Sequence, residues 1–136
     1  MQDAVEALTQ FYAAVNRQDS EAIGAQFAPH IVRIEPPGFP TAGTYRGAAE
    51  VSAHVQRGRA TWAEGKCETE GFFVKDDKVV VYLYAWVRLH GASEWMGGRF
   101  ADGFVFRHGL ITEYYSFGER AEALAWAGLS EAEVQM

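Results

Sequence analysis

A single cysteine, Cys67, leaves the chain with no internal disulfide and no cysteine-built metal site. No run of eighteen apolar residues occurs, so no segment reads as a membrane-spanning helix. Lys and Arg cluster in no window, and the net charge of -6 excludes a basic face for nucleic acid or anionic lipid. The four histidines, His30, His54, His90 and His108, lie on four different segments without an i,i+4 pair, so no metal is expected. No Ser-His-Asp set, P-loop or dinucleotide fingerprint is present, and no cofactor is expected. The opening MQDAVEALTQFYAAV carries an early acid and amphipathic spacing. It reads as a helix rather than a leader, which makes the cytoplasm the expected location.

Hydrophobic residues make up 49% and aromatics 14% of the 136 residues, enough for one folded domain spanning 1–136 with a sizeable core. Val5, Leu8, Phe11, Tyr12 and Val15 recur at steps of three and four, which predicts a helix from Asp3 to about Arg17. Asp19 or Ser20 caps a second helix, with Ile23 and Phe27 inward and Pro29 beyond its end. A short strand, His30 to Glu35, runs into a loop containing Pro36, Pro37, Gly38 and Pro40. Gly47 leads into a third helix to about Gly65, with Val51, His54, Val55, Gly58 and Trp62 on one side.

The second half is β-rich. Two runs flank the turn Lys75 to Lys78, a third follows Gly91-Ala92-Ser93, and His108-Gly109 returns the chain as LITEYYSF. A closing helix starts at Glu119, and the last residues are expected to fray. Helices gathered at one end and strands at the other predict an α+β fold. A curved sheet wrapped around helices would make a cone with an apolar mouth, a common place for ligands.

Two carboxylates stand out. On a strand from Arg99 to Arg107, alternation puts Asp102 on one face with Phe100, Phe104 and Phe106. An aspartate there is costly unless hydrogen-bonded or neutral. It is either a protonated donor, as burial can make it, or a structural partner of a helix or backbone group. Glu35 ends a strand where prolines stiffen the following loop. It is either a solvated strand-end residue or a carboxylate aimed to take a proton or activate water. Around them, Phe27, Phe39, His54, Trp62, Trp86, Trp95, Phe100, Phe104 and Ser116 are candidates for lining a cavity for a flat apolar ligand. On the strand VVVYLYAWVRL, Tyr82, Tyr84, Trp86 and Arg88 alternate with Val81, Leu83, Ala85 and Val87. Its aromatic face either lines the cavity or meets another subunit.

FYAAVNRQDSEAIGAQFAPHI, RIEPPGFP with TYRG, RFADGFVFRHGLITEYYSF and ERAEALAWAGLS together resemble the NTF2-like superfamily, and within it the SnoaL-like and ketosteroid-isomerase-like proteins. The resemblance implies an NTF2-like cone: three N-terminal helices on a curved mixed or antiparallel sheet, with a short C-terminal helix. It implies Glu35 as general base and Asp102 as oxyanion-hole acid. The tyrosine that completes the set in ketosteroid isomerases falls at Phe11, with Tyr12 beside it and Tyr114 as another phenol. One residue on a helix turns a side chain by about 100°. Limonene-epoxide-hydrolase-like members carry an arginine and an aspartate two apart on one strand. Arg99 and Asp102 are three apart, hence on opposite faces without a bulge. A histidine acid/base of some related dehydratases falls near His54. The expected function is cofactor-free acid/base chemistry on a small hydrophobic carbonyl compound, as an isomerase, cyclase or dehydratase. The opposing expectation is a non-catalytic module that binds a hydrophobic ligand or dimerises. A homodimer paired through the outer sheet face is implied by the resemblance.

Overall fold

The computed structural model describes residues 2–134. The expected fraying at the extreme C-terminus concerns residues outside that range. The apolar stripe at the N-terminus forms helix α1, Gln2–Asn16, which buries Leu8, Phe11, Tyr12 and Val15. Asp3 in its first turn complements the helix dipole. The single turn α2, Ser20–Ile23, is capped by Asp19, whose Oδ1 accepts from the Ala22 amide at 3.2 Å.

Strand β1, Phe27–Glu35, begins three residues before the expected start. Pro29 lies inside it, where the pairing with the last strand slips between Phe27 and Val32 and a missing amide is tolerated. A short strand β2, Gly43–Arg46, unforeseen in the sequence, folds back on β1 with Glu35 opposite Gly43. Helix α3 spans Ala48–Ala60 and not the residues up to Gly65. Trp62 instead opens the long strand β3, Trp62–Lys75, because pairing with its neighbour overrides local propensity from that residue on.

Strands β4, Lys78–Leu89, β5, Met96–Arg107, and β6, Leu110–Phe117, complete the sheet. The β5–β6 connection has φ of 53° at His108 and 79° at Gly109, as a two-residue primed hairpin turn requires. The order is β2-β1-β6-β5-β4-β3, with β1 and β6 parallel and the other neighbours antiparallel. The sheet is therefore mixed and curved around the helices. Two short helices close the chain where one was expected: α4, Arg120–Ala127, and the single turn α5, Glu131–Val134.

Alternation along the strands separates two cores. Val81, Leu83, Phe104 and Ile111 pack inward with Leu8, Phe11 and Val51. Val80 and Ala101 face outward and are covered by Ala123, Leu124 and Ala127 of α4, with Trp126 against Gly103. Part of the outer sheet face is thus occupied by the chain's own helix. Among the described residues no helix is long and apolar enough to cross a membrane.

One glycine of β5 lies unusually close to the neighbouring strand. Gly97, at φ 146°, presses so closely on β4 that an added Cβ would stand 1.9 Å from the Ala85 carbonyl oxygen. Gly97→Ala is expected to destabilise the fold by about 2 kcal/mol or more. Urea unfolding of wild type and variant checks this.

Candidate active site

A cavity of about 470 Å³ opens on the concave face, between α1, α3, the loop after β1 and strands β3 to β6. Its buried end is polar. Asp102, at 2% exposure, projects inward from β5 between Phe100 and Phe104. Ser116 lies directly across on β6 and brings its Oγ to 2.6 Å from Asp102 Oδ1. Tyr12, from α1, brings its Oη to 2.6 Å from Oδ2. Tyr114 Oη stands 3.5 Å from the same oxygen, beyond a normal O–H···O distance, so its phenol remains available to another acceptor.

Burial raises the Asp102 carboxyl above its ordinary range, and the Arg33 charge with the Ser116 and Tyr12 hydroxyls offsets this only in part. Burial, reinforced by Asp102, also holds the Tyr12 phenol well above its usual value. Tyr114 is raised chiefly by burial as well, against the opposing charge of Arg33. The buried end is therefore a cluster of O–H groups around a carboxyl that resists ionisation.

Glu35 occupies the cavity wall where β1 ends. Thr41 Oγ1 donates to Glu35 Oε1 at 2.6 Å, and Arg33 Nη2 donates to Oε2 at 3.0 Å. His54 Nε2 lies 3.5 Å from Oε1. Burial alone would raise this carboxyl, but contacts to His54 and Thr41 and the charge of Arg33 outweigh it and hold Glu35 below the usual glutamate value. His54 Nε2 also sits 3.0 Å from the Thr41 carbonyl, which can only accept, so this nitrogen carries a proton. Tyr45 stacks on the imidazole at 3.8 Å and donates to the same carbonyl at 2.9 Å. The proline loop is thus fastened at its far end as well as stiffened along its length.

Arg33 and Thr41 escaped notice in the sequence. Arg33 is 4% exposed, with its guanidinium 3.8 Å above the Tyr114 ring. Alternation could have found it, since a Glu35 that faces inward requires Arg33 to do the same. The two-residue spacing of arginine and carboxylate that Arg99 and Asp102 lack is present at Arg33 and Glu35. Thr41 carries no such signal, because its position depends on the folded loop. Arg99 pairs with Glu70 at 3.3 Å and stacks on Tyr84, away from Asp102.

Of the other expected residues, Phe39, His54, Trp62, Phe100 and Ser116 line the cavity. Phe27 and Phe104 do not: they pack behind it, Phe27 against Phe11 and Phe104 stacked on Tyr114 at 4.6 Å. Trp86 is also displaced from its expected place. Alternation on β4 gives the cavity Ala85 and Val87 and turns Trp86 outward, 45% exposed, beside Tyr84. Trp95 is likewise exposed. Cys67 lines the cavity, but burial pushes its thiol up, which makes it a poor nucleophile. Among the described residues no three His, Cys, Asp or Glu side chains gather as a metal site would require.

The opposed shifts make a pH prediction. A folded-state pKa raised above the unfolded 3.8 means Asp102 contributes stability that is fully present below that pH. This contribution is lost as pH rises through the raised value. The stability advantage of wild type over Asp102→Asn is therefore expected to shrink on raising the pH from the acid side. Carboxyl carbon NMR is expected to give midpoints above 3.8 for Asp102 and below 4.5 for Glu35. An ordinary midpoint for Asp102 would remove its role as a neutral donor.

A family model described as a SnoaL-like domain matches residues 8–114. An NTF2-like protein from Burkholderia pseudomallei, 21% identical, superposes with a TM-score of 0.77 over 93% of this chain and 98% of its own. TerC, co-crystallised with polyporic acid, is 21% identical with a TM-score of 0.74, over 92% of this chain and 97% of its own. A Mycobacterium tuberculosis protein in complex with estradiol-17β-hemisuccinate is 19% identical with a TM-score of 0.72, over 84% and 92% of the two chains. No functionally curated protein matches in sequence. The family match, together with the mixed sheet and its carboxyl-bearing cavity, makes this chain a member of the SnoaL-like domain family, with the NTF2-like, ketosteroid-isomerase-like fold.

Proposed function

We propose that the chain is a cofactor-free acid/base enzyme acting on a small hydrophobic carbonyl compound. The observation that carries this is the pairing of two carboxyls in one cavity, Glu35 engaged by Arg33 and Thr41 and lowered, Asp102 buried among hydroxyls and raised. Glu35 would take the proton from the carbon beside the carbonyl. The electrons of that C–H bond would move to the carbonyl oxygen, which Asp102 and Tyr114 would stabilise, with Tyr12 and Ser116 holding Asp102 in place. Returning the proton to another carbon gives isomerisation, attack of the enolate on a second carbonyl gives cyclisation, and loss of a β-hydroxyl gives dehydration.

One observation favours a non-catalytic reading of the same cavity. Arg33, Thr41 and His54 already engage Glu35, and a lowered pKa makes it a weaker base. The molecules named for the two complexes above, polyporic acid and estradiol-17β-hemisuccinate, agree with either reading. For a homodimer, the strip around Tyr84 and Trp86, left free by α4, would be the remaining outer surface.

Exchange of α-protons separates the two readings. Incubated with 2-tetralone in deuterated buffer, the wild type is expected to accelerate deuterium incorporation as seen by proton NMR. Glu35→Gln is expected to lower that rate by about a hundredfold or more, and Asp102→Asn by about tenfold or more. Binding of tetralone without any exchange above buffer would decide for the binding module.

A further inference from the structure

Four glycines line the cavity: Gly38, Gly58, Gly97 and Gly98. Three have a backbone that explains them, with φ of +102° at Gly38, +146° at Gly97 and +153° at Gly98. Gly58 differs. It sits in the last turn of α3 with ordinary right-handed backbone. A Cβ there would meet nothing nearer than Thr41 Oγ1 at 4.0 Å. Gly71 and Gly103, which also lack a positive φ, would bring a Cβ to 3.0 Å from Phe73 and 2.6 Å from Trp126. No such neighbour forbids a side chain on Gly58, and in a helix glycine is less favourable than alanine. What its missing side chain leaves open is the cavity.

The position within that cavity is informative. Gly58 lies one turn after His54, at the C-terminal end of the α3 stripe that faces the space, just before the chain turns into β3 at Trp62. The space is graded from end to end. Asp102, Tyr12 and Ser116 form the buried polar end, while Phe39 and Trp62 are half-buried and Met96 is exposed. Of the arginines in the lining, Arg33 pairs with Glu35 at 3.0 Å, Arg99 with Glu70 at 3.3 Å, and Arg59 is held on the Val15 and Asn16 carbonyls at 3.0 Å.

We propose that Gly58 is the size-selecting position of the cavity. Its absent side chain keeps room beside α3 for the apolar body of a flat, fused-ring phenol or ketone, whose oxygen reaches the hydroxyls around Asp102. This rests on the cavity taking a hydrophobic ligand, whether or not it is transformed.

The test uses three neutral phenols with one head group and a growing body: phenol, 2-naphthol and estradiol. Calorimetric titration compares the wild type with Gly58→Ala and Gly58→Leu. Gly58→Leu is expected to bind phenol within about twofold of wild type and estradiol at least about tenfold more weakly, as a pocket discriminating by volume does. Gly58→Ala is expected to melt at or above the wild-type temperature, because the helix gains a better former. An unchanged estradiol affinity in Gly58→Leu, an equal loss for all three phenols, or a lower melting temperature for Gly58→Ala would each overturn the size-selecting role. If none of the three binds the wild type, the ligand reading falls and this proposal with it. If they bind and the variants do not discriminate, only the role of Gly58 falls.

Discussion

A buried carboxyl sets how the first helix meets the sheet. Asp102 belongs to β5, its partner Ser116 to β6, and its partner Tyr12 to α1. Apolar packing of Leu8, Phe11 and Val15 would hold α1 on the concave face without fixing its rotation, because hydrophobic burial is non-directional. The hydrogen bond at 2.6 Å is directional, and together with the two bonds of Asn16 to the Cys67 backbone at 2.8 and 2.9 Å it holds the rotation that puts Tyr12 over Asp102 and Phe11 in the aromatic cluster with Phe27, Phe104 and Tyr114. Losing any of these hydroxyls would leave part of a buried carboxyl unpaired, at a cost of about 1–3 kcal/mol.

The second carboxyl is treated differently. Glu35 shares its wall with a buried cation, and a buried ion pair seldom adds net stability once the desolvation of both groups is counted. Arg33 is placed where its charge acts on both carboxyls: it lowers Glu35, and it limits how far burial raises Asp102. One guanidinium thus acts on two carboxyls of the same cavity whose pKa values are driven in opposite directions. Groups driven apart in this way are characteristic of sites that move protons.

Much of this was legible from period-two alternation. It placed Asp102 among phenylalanines on the inner face of β5 and separated it from Arg99. Glu35 was marked instead by the prolines that stiffen the loop after it. The same rule, carried two residues back from Glu35, reaches Arg33, and there the sequence was under-read. Other features depend on tertiary contacts that no local pattern records. β2 is four residues long and exists by pairing with β1. α3 ends at Ala60 because Trp62 is drawn into the ladder with Leu89. Tyr12, next to the expected Phe11, became the phenol because helix rotation is settled by the partner it meets. Trp86 looked like a lining residue by type, yet its place in the alternation of β4 turned it outward.

The loop between β1 and β2 carries the last consequence. Its prolines limit the backbone, and Thr41 at its far end returns a hydroxyl to Glu35 while Tyr45 and His54 hold the Thr41 carbonyl. These three side chains, with Arg33 on Oε2, therefore fix one carboxylate. On the proposed reading, a base held this firmly would not swing to meet a reactant, which would have to present its carbon to Glu35 and its oxygen to Asp102 at the same time. On that reading, specificity would reside in the distance between these two points and in the shape of the apolar space around them. Such preorganisation lowers a barrier because the dipoles need not rearrange as charge moves from carbon to oxygen.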